Sequence, residues 1–395
     1  MMKLGNLSLL AAIAGLGLLG QAAFAAGHEL WVAGALTDAI GSPCAIARYS
    51  AKDGSFLGYF MHPTPEVGQV TSPGNGTIHE VEVDGKHIYV AHGPQYFKVA
   101  RYDRNGGNAV VDLITGVGGD WFVAAYRYEI RGLAFTAGHI HVLGGVWSTE
   151  PRYPELERGT YIFRHTREGA IAGVQPNSLS GYSRGAQFSA PPAISGITTA
   201  CGLARDSVGN FYAITTGPSK VSRFTPAGEH YGPGGIGDTN AWISSAAMPV
   251  STSPFWPTDI IIDQDDRLYL VGDCNGVTVS YVLRFNADGT PAPAPGKSGA
   301  VFTTWVNYLK GVVRPKAMAI GPHDGHLYVA NAYFNLSAGR RENMVNRFYI
   351  DGANDGKLIE EGGFANLGFE NAPIYLPSEV FFVERPAIGT SVLIR

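Results

Sequence analysis

One short motif recurs six times along the chain and constrains the fold more than any other feature. In each copy, an alternating apolar stretch is followed by Arg, then by an aromatic ring or His, and then by a turn that ends in Gly. The spacing from Arg to Gly is five residues in five copies and six in the first. The copies are marked by Arg48, Arg101, Arg164, Arg223, Arg284 and Arg347. Such repetition predicts one supersecondary unit used six times.

Each copy is predicted to contribute four antiparallel β-strands. An alternating run such as Leu268-Tyr269-Leu270 precedes each Arg, and in five copies another short apolar strand precedes that run across a tight turn. The first copy lacks this preceding strand, and a matching segment stands near the other end of the chain, at residues 380–382. We therefore predict an all-β fold: a six-bladed β-propeller of four-stranded antiparallel blades, closed by a C-terminal strand that completes the N-terminal blade.

Composition supports a turn-rich fold and excludes two classes of partner. The 395 residues include 52 Gly and 24 Pro, and only 16% are charged, so turns must be frequent and long helices rare. The net charge of −4 offers no basic surface of the kind that nucleic acid or an anionic membrane requires.

The N-terminal residues have the pattern of a secretory signal peptide. Lys3 supplies the positive region, residues 9–19 are apolar, and Ala23-Phe24-Ala25 fits a cleavage site of small residues. We predict a signal peptide over residues 1–26 and a single propeller domain over residues 27–395, exported to the periplasm or the extracellular space. No later segment is long enough to span a membrane, so the mature chain is predicted to have no membrane span.

Strand direction predicts that nearly all the long connections lie at one end of the propeller. Binding residues concentrate in long loops on a rigid scaffold, so this end is predicted to be functional. Trp147 and Trp256 belong to these connections and are candidates for stacking on a ligand or anchoring a partner. The alternative is that the rings fill the gaps between blades.

Polar residues at the start of the innermost strands are predicted to converge on the mouth of the central channel. The ligand-binding candidates there are His79, Glu80, Arg131, Thr258, Asp259, Lys316 and Glu379. Converging titratable groups shift one another's pKa values and mark candidate sites. A structural alternative stays open, in which Arg131 and Lys316 neutralise the three carboxylates and plug the channel.

A Pro-x-x-apolar-x-apolar segment followed by Asp-Gly and Leu-Tyr-Val-Ala, clearest at residues 257–271 and 315–330, resembles the NHL-repeat family and its six-bladed relatives. The innermost strands are also similar to those of the gluconolactonase family, which holds a divalent metal at this mouth with Glu, Asn and Asp. The resemblance implies that Glu379 and Asp259 stand for two oxygen ligands, while Thr258 occupies the place of the Asn. With Glu80 they form a candidate site for Ca²⁺ or Zn²⁺.

Two functions follow as hypotheses. The first is an exported propeller that binds a small molecule, a carbohydrate or a protein partner through its loop-bearing face and channel mouth. The second is a metal-assisted hydrolase or lyase, lactonase-like, acting at the channel mouth. No HExxH or Walker motif occurs in the sequence, which favours the binding function.

The three cysteines leave one without a partner if a disulfide forms. Cys201 and Cys274 are predicted at the same end of neighbouring blades, so a disulfide between them is one hypothesis. Three unpaired thiols are the other, because blade position alone does not establish the short Cα separation that a disulfide needs.

Overall fold

A computed structural model of the chain describes most of residues 28–384. The described residues are 28–37, 42–65, 69–71, 78–92, 98–106, 111–114, 128–146, 159–170, 172, 194–195, 200–215, 219–249, 254–274, 279–306, 312–335, 340–341, 343–360, 363–368, 374 and 376–384. Among them, no helix combines the length and the apolar character needed to cross a bilayer.

The described residues are almost entirely β-structure. The strands are β1 (His28–Ala35), β2 (Cys44–Ser50), β3 (Phe56–His62), β4 (Val70–Thr71), β5 (Ile78–Val83), β6 (His87–His92), β7 (Lys98–Asp103), β8 (Val111–Ile114), β9 (Tyr128–Phe135), β10 (His139–Val146), β11 (Gly159–Thr166), β12 (Ile194–Ser195), β13 (Ala200–Arg205), β14 (Phe211–Thr215), β15 (Lys220–Phe224), β16 (Tyr231–Gly232), β17 (Gly235–Ile236), β18 (Phe255–Ile262), β19 (Leu268–Cys274), β20 (Val279–Phe285), β21 (Val301–Val306), β22 (Val312–Ile320), β23 (Leu327–Asn335), β24 (Arg340–Arg341), β25 (Asn343–Phe348), β26 (Ala365–Gly368) and β27 (Leu376–Glu384). A 3₁₀-helix spans Ser245–Ala247.

These strands form six antiparallel blades, as predicted. From the inside outward, blade 1 is β27-β1-β2-β3 with β4 beyond it, blade 2 is β5 to β8, and blade 3 is β9 to β12. Blade 4 is β13 to β15, blade 5 is β18 to β21, and blade 6 is β22-β23-β25-β26, with β24 also paired to β23. The innermost strand of every blade contacts the innermost strands of both neighbours, so the six blades close into a ring.

The C-terminal strand closes the ring in the predicted way. β27 pairs with β1 from His28 opposite Glu384 to Ala35 opposite Leu376. The chain therefore completes its first blade with its last strand, and no edge of the innermost strands is left without a neighbour in the ring.

Blade 4 departs from the expectation of four strands. Its outer edge is covered by isolated bridges from Phe224 to His230 and from Val221 to Ile243, and the hairpin of β16 and β17 lies between those bridges in sequence. The segment after Phe224 therefore covers the outside of this blade.

Apolar clusters fill the gaps between the blades. Between blades 5 and 6, for example, Val271 and Val282 on one side pack with Met318, Leu327 and Val329 on the other. Successive residues of a strand point to opposite faces, so each blade contributes alternate residues to the clusters on its two sides. The packing of alternating residues explains why the sequence pattern predicted the strands so well.

The two ends of the blades differ in architecture. The turn end carries the tight turns between the first and second and between the third and fourth strands of a blade. There, in four blades, an Asp in the turn after the first strand accepts a hydrogen bond from a Tyr of the second strand. These bonds are Tyr89 Oη to Asp84 at 2.9 Å, Tyr212 Oη to Asp206 at 3.1 Å, Tyr269 Oη to Asp263 at 3.2 Å and Tyr328 Oη to Asp324 at 2.6 Å.

The repeated Arg of the sequence motif belongs to this same network. In all six blades it pairs across the strands with an aromatic or His residue. The pairs are Trp31 with Arg48, Tyr89 with Arg101, His141 with Arg164, Tyr212 with Arg223, Tyr269 with Arg284, and Tyr328 with Arg347. A position that recurs in every blade is explained by architecture, so these Arg residues are not candidates for a binding site.

Candidate functional site

Every blade has a β-bulge at the same height of its innermost strand, at the end opposite the turns. In each case the register against the second strand slips by one residue, so one residue of the innermost strand has no partner across the ladder. The bulged residues are Ser378, His79, Arg131, Cys201, Thr258 and Lys316 in blades 1 to 6. Bulges bend the strand and redirect side chains, and they are common beside binding sites.

The residue after each bulge forms an inner ring around the channel. In blades 1 to 6 this ring consists of Glu379, Glu80, Gly132, Gly202, Asp259 and Ala317. Acidic residues therefore occupy blades 1, 2 and 5, and small residues occupy blades 3, 4 and 6. The predicted convergence of Glu80, Asp259 and Glu379 is present, because the charge of Asp259 acts on both glutamates and that of Glu379 on Glu80.

Glu80 and Glu379 share a hydrogen bond. Two carboxyl groups can bond in this way only when one is protonated. Burial is the largest cause that raises the pKa of Glu80 well above its ordinary value, followed by the charges of Glu379 and Asp259. The pKa of Glu379 is also raised, first by burial and then by the charge of Asp259. The shared bond favours the proton on Glu80, so Glu80 donates and Glu379 accepts.

Asp259 is held in place by the backbones of two blades. Its Oδ1 accepts a 2.6 Å hydrogen bond from the Ile260 backbone N–H, and its Oδ2 accepts a 2.7 Å bond from the Met318 N–H of blade 6. Burial raises the pKa of Asp259 to about 6, and the two N–H donors work against that rise. Asp259 is therefore the carboxyl of this group that stays mostly ionised at neutral pH, in a fixed position.

Glu82 is a fourth acidic residue of this group, and the sequence analysis missed it. It lies two residues after Glu80 on β5, and burial raises its pKa to about 7. Its charge contributes to the raised pKa values of both Glu80 and Glu379. Strand periodicity was the signal that could have found it, because residues two apart lie on one face of a strand.

Glycine in blades 3 and 4 serves close packing on the other side of the ring. A Cβ on Gly132 would lie 2.6 Å from the Leu203 backbone N, and a Cβ on Gly202 would lie 3.1 Å from that of Ile260. The innermost strands of blades 3, 4 and 5 therefore approach each other directly. In contrast, Asp259 bridges blade 5 to blade 6 with its side chain. The inner ring is asymmetric, with its carboxyl groups on blades 5, 1 and 2.

Two of the bulged residues bind the scaffold. Thr258 Oγ1 donates to the carbonyl of Pro315 in blade 6 at 3.0 Å and lies 3.3 Å from that of Val271. Ser378 Oγ lies 3.4 Å from the Ala33 carbonyl in its own blade. Thr258 was predicted to bind a ligand, which stays a prediction; in the structure its hydroxyl links blade 5 to blade 6.

The remaining candidates occupy the predicted end of the molecule to different degrees. His79 and Lys316 are bulged residues whose side chains are half-buried. Arg131 is the bulged residue of blade 3, but its side chain lies outside the described part of the structure, and so does the whole of Trp147. Trp256 lies near the start of β18 with 44% of its surface exposed. It is the large aromatic side chain of this end that the structure shows open to solvent.

The candidate metal set lacks support from geometry. Among the described residues, no group of three or more His, Cys, Asp or Glu side chains is arranged to hold a metal ion. Glu80, Asp259 and Glu379 do come together, but their oxygens are committed to each other and to backbone N–H groups. The prediction of Ca²⁺ or Zn²⁺ at these residues therefore stays a prediction.

The predicted disulfide is not formed in the structure. Cys201 and Cys274 are both thiols, as is Cys44. Cys274 is buried in the cluster between blades 4 and 5, and Cys201 packs against that same cluster. The sequence analysis thus placed the two cysteines in the right neighbourhood, and the structure keeps them as packing residues, a common role for buried cysteine.

Comparisons with known proteins find only distant structural likenesses. No protein-family model matches the chain, and no curated protein matches it. Among solved structures, a Bacteroides caccae protein of unknown function is 12% identical, with a TM-score of 0.49, and the match covers 91% of this chain and 99% of that one. A periplasmic gluconolactonase of Pseudomonas aeruginosa is 12% identical, with a TM-score of 0.44 and coverage of 91% and 100%. A Xanthomonas campestris gluconolactonase is 15% identical, with a TM-score of 0.39 and coverage of 76% and 82%. Likenesses this distant carry no information about activity, and the NHL resemblance is not confirmed.

Proposed function

We propose that this protein is an exported propeller that binds a positively charged ligand at the mouth of its central channel. One observation carries the proposal: the Glu80–Glu379 carboxyl pair and Asp259 lie together inside the ring. The charge of Asp259 raises the pKa of both glutamates, and that of Glu379 raises the pKa of Glu80. Buried like charges oppose folding unless something neutralises them. Protons do this in the unliganded protein, and a cation would do it better.

The same group explains how binding would be coupled to proton release. Glu80 holds a proton that it shares with Glu379, and a cation bound beside this group of carboxyls favours the ionised form of both. Binding should therefore release protons and strengthen as the pH rises. Asp259 supplies a fixed negative charge nearby, because its oxygens are held by two backbone N–H groups.

Export remains part of the proposal on sequence grounds alone. The positively charged start, the apolar run and the small-residue cleavage site in residues 1–26 support it. An exported protein would meet its ligand outside the cytoplasm.

Isothermal titration calorimetry on the mature chain, residues 27–395, tests the proposal with two probes, Ca²⁺ and n-butylammonium. We expect at least one probe to bind at pH 7.5, with a heat that changes with the ionisation enthalpy of the buffer because protons are released. Glu80→Gln with Glu379→Gln should weaken that binding about tenfold or more. Glu168→Gln with Glu384→Gln removes the same charge from two exposed positions and should leave it unchanged. Absence of binding by both probes, or equal binding by the two double variants, would overturn the proposal.

A further inference from the structure

The contact between blades 5 and 6 changes character along its length. At mid-height it is apolar, with Val271 and Val282 packed against Met318, Leu327 and Val329. Toward the mouth, the same two faces carry polar residues, which we call the polar seam. It consists of Asp273 and Ser280 from blade 5 and Asn331 and Asn346 from blade 6.

Strand register places these residues in the seam. Asp273 is two residues from Val271 on β19, and it pairs with Ser280, which is two residues from Val282 on β20. Asn331 is two residues from Val329 on β23, and Asn346 pairs with Val329. Residues two apart on a strand, and residues paired across strands, share one face of a sheet. All four therefore face the gap between the blades.

The seam is buried as well as polar. The exposed fraction is 1% for Ser280, 0% for Asn331 and 6% for Asn346. At a similar height, the contact between blades 6 and 1 is built from Ala45, Ala47 and Ala330, together with other apolar side chains.

Asn331 has an acceptor that nothing in the described structure satisfies. Its Nδ2 donates to the Asn346 Oδ1 at 2.8 Å and to the Val329 carbonyl at 3.0 Å, which uses both of its N–H groups. Its Oδ1 is buried without a hydrogen-bond partner. Flipping the amide would lose both donated bonds, so the orientation is determined by the network. A buried acceptor without a donor is costly to the fold.

The seam opens beside the channel mouth. Trp256 pairs with Asp273 across blade 5 and so shares its face, and 44% of the Trp256 surface is exposed. Asp259 pairs with Val271 on that same face and bonds to Met318 of blade 6. An aromatic ring, two carboxyl-bearing residues and an unsatisfied carbonyl oxygen thus follow one another from the surface into the gap.

We propose that the polar seam between blades 5 and 6 binds a primary ammonium group, which names the class of cation within the function proposed above and rests on that proposal. Asn331 Oδ1 requires an N–H or O–H donor, and the carboxylate of Asp259 requires positive charge. The face of the Trp256 ring attracts a cation that lies over it. Because Asn331 is 0% exposed, the group that reaches it must be small. An ammonium on an alkyl chain is small and supplies both N–H donors and positive charge. The described residues offer no arrangement for a metal ion, which also favours an organic cation.

Calorimetry with n-butylammonium, tetramethylammonium and Ca²⁺ on residues 27–395 tests the inference. n-Butylammonium should bind at least about tenfold more tightly than tetramethylammonium, because the quaternary ion has no N–H for Asn331 Oδ1. Asn331→Leu should remove most of this preference, whereas Asn366→Leu, at an exposed position of the same blade, should not. Trp256→Phe should weaken n-butylammonium binding less than Trp256→Ala. The Trp256 variants keep the test valid if Asn331→Leu does not fold, because Trp256 is exposed.

The failures of the two proposals are distinguishable. Binding of Ca²⁺ alone, lost in the Glu80 and Glu379 double variant, would overturn the ammonium inference and leave the cation-binding function standing. Equal affinity for the primary and quaternary ions would also overturn the inference, and so would unchanged n-butylammonium binding in both the Asn331 and the Trp256→Ala variants. In those cases the acceptor of Asn331 is served by a buried water. Failure of all three probes would overturn both proposals.

Discussion

The turn end and the mouth end of the propeller treat charge in opposite ways. At the turn end, each blade repeats the same pairing of an aromatic or His residue with Arg, and Asp carboxylates accept hydrogen bonds from Tyr hydroxyls. At the mouth, the inner ring repeats in backbone geometry but not in side chains, and its three carboxyl groups lie together, bonded to each other and to backbone N–H groups. Repetition marks what the fold needs from every blade. The positions where side chains break the repetition are therefore the better candidates for function.

The largest effect is expected from removing β27, the strand that closes the ring. A chain that ends at Tyr375 lacks all of β27, so blade 1 loses its innermost strand and the ring cannot close. We expect aggregation, measured by size-exclusion chromatography and by the loss of the thermal transition. A chain that ends at Glu384 keeps β27 and is the matched control. A soluble, monomeric chain ending at Tyr375 with an unchanged melting temperature would contradict the closure.

The second prediction concerns the turn end, where the Arg284 cation is replaced by a neutral side chain. Arg284 Nη1 bonds to the Asp355 carboxylate of blade 6 at 2.6 Å, and their side chains are 7% and 6% exposed. Arg284→Met leaves a buried carboxylate uncompensated, so the free energy of unfolding should fall by about 3–5 kcal/mol in urea titrations. Arg267→Met removes a cation that is 30% exposed from an Asp263 carboxylate that keeps bonds from the Arg267 backbone N–H and Tyr269 Oη, so it should cost less than Arg284→Met. Adding Asp355→Asn to Arg284→Met should recover part of the loss; equal costs for the two Arg variants would contradict this account.

The third prediction concerns the mouth, where removing charge should stabilise the protein rather than destabilise it. Glu80→Gln with Glu379→Gln removes buried like charges, so at pH 8 the free energy of unfolding should rise by about 1–3 kcal/mol. Thermal unfolding followed by circular dichroism measures the change, with Glu168→Gln and Glu384→Gln as the exposed control pair. If Arg131 and Lys316 instead neutralise these carboxylates, the same substitutions leave unmatched cations and the melting temperature falls.

The fourth and smallest expected effect is that the carboxyl groups of the two ends change stability in opposite directions as the pH rises. Burial raises the pKa of Glu82 to about 7 and that of Asp259 to about 6. Between about pH 4 and 7 the folded state therefore binds more protons than the unfolded state. The free energy of unfolding should fall as the pH rises through that window. At the turn end, burial acts to raise the pKa of Asp84 and Asp324, but hydrogen bonds lower it overall. Their contribution is lost below about pH 4. Urea midpoints from pH 3 to 9 should peak near pH 4, and Glu82→Gln should flatten the decline above that pH; a flat profile from pH 4 to 7 would contradict this account.

Much of the fold could be predicted because the repeat exposes it. The alternating runs identified the second strands, and the match between residues 377–379 and 257–259 indicated the closing strand from residue types and spacing alone. The bulges could not be predicted, because a slip of one residue depends on pairing with a neighbour strand and leaves no mark in apolar spacing. Blade 4 was also predicted incompletely, since the hairpin after Phe224 has no counterpart in the other copies.

The candidate site was predicted only where residues occupy equivalent places in the repeat. Glu80, Asp259 and Glu379 were found because each follows the start of an innermost strand. Asn331 was missed. It lies two residues after Val329 on the same strand, so strand alternation places this polar side chain on a buried, mostly apolar face. That signal was present in the sequence, but only the structure showed that its carbonyl oxygen has no donor.

The pairing of β1 with β27 also determines how the propeller would be oriented if it were attached to a surface or to another protein. His28, the first residue of β1, lies opposite Glu384, the last residue of β27. The chain therefore enters and leaves the propeller at neighbouring positions. Both lie at the turn end, because β27 runs from the bulge at the mouth down to Glu384. A tether attached through either end, whether a fusion partner, a surface linker or a second domain, would hold the propeller by its base. The channel mouth would then point away from the support, open to the surrounding medium.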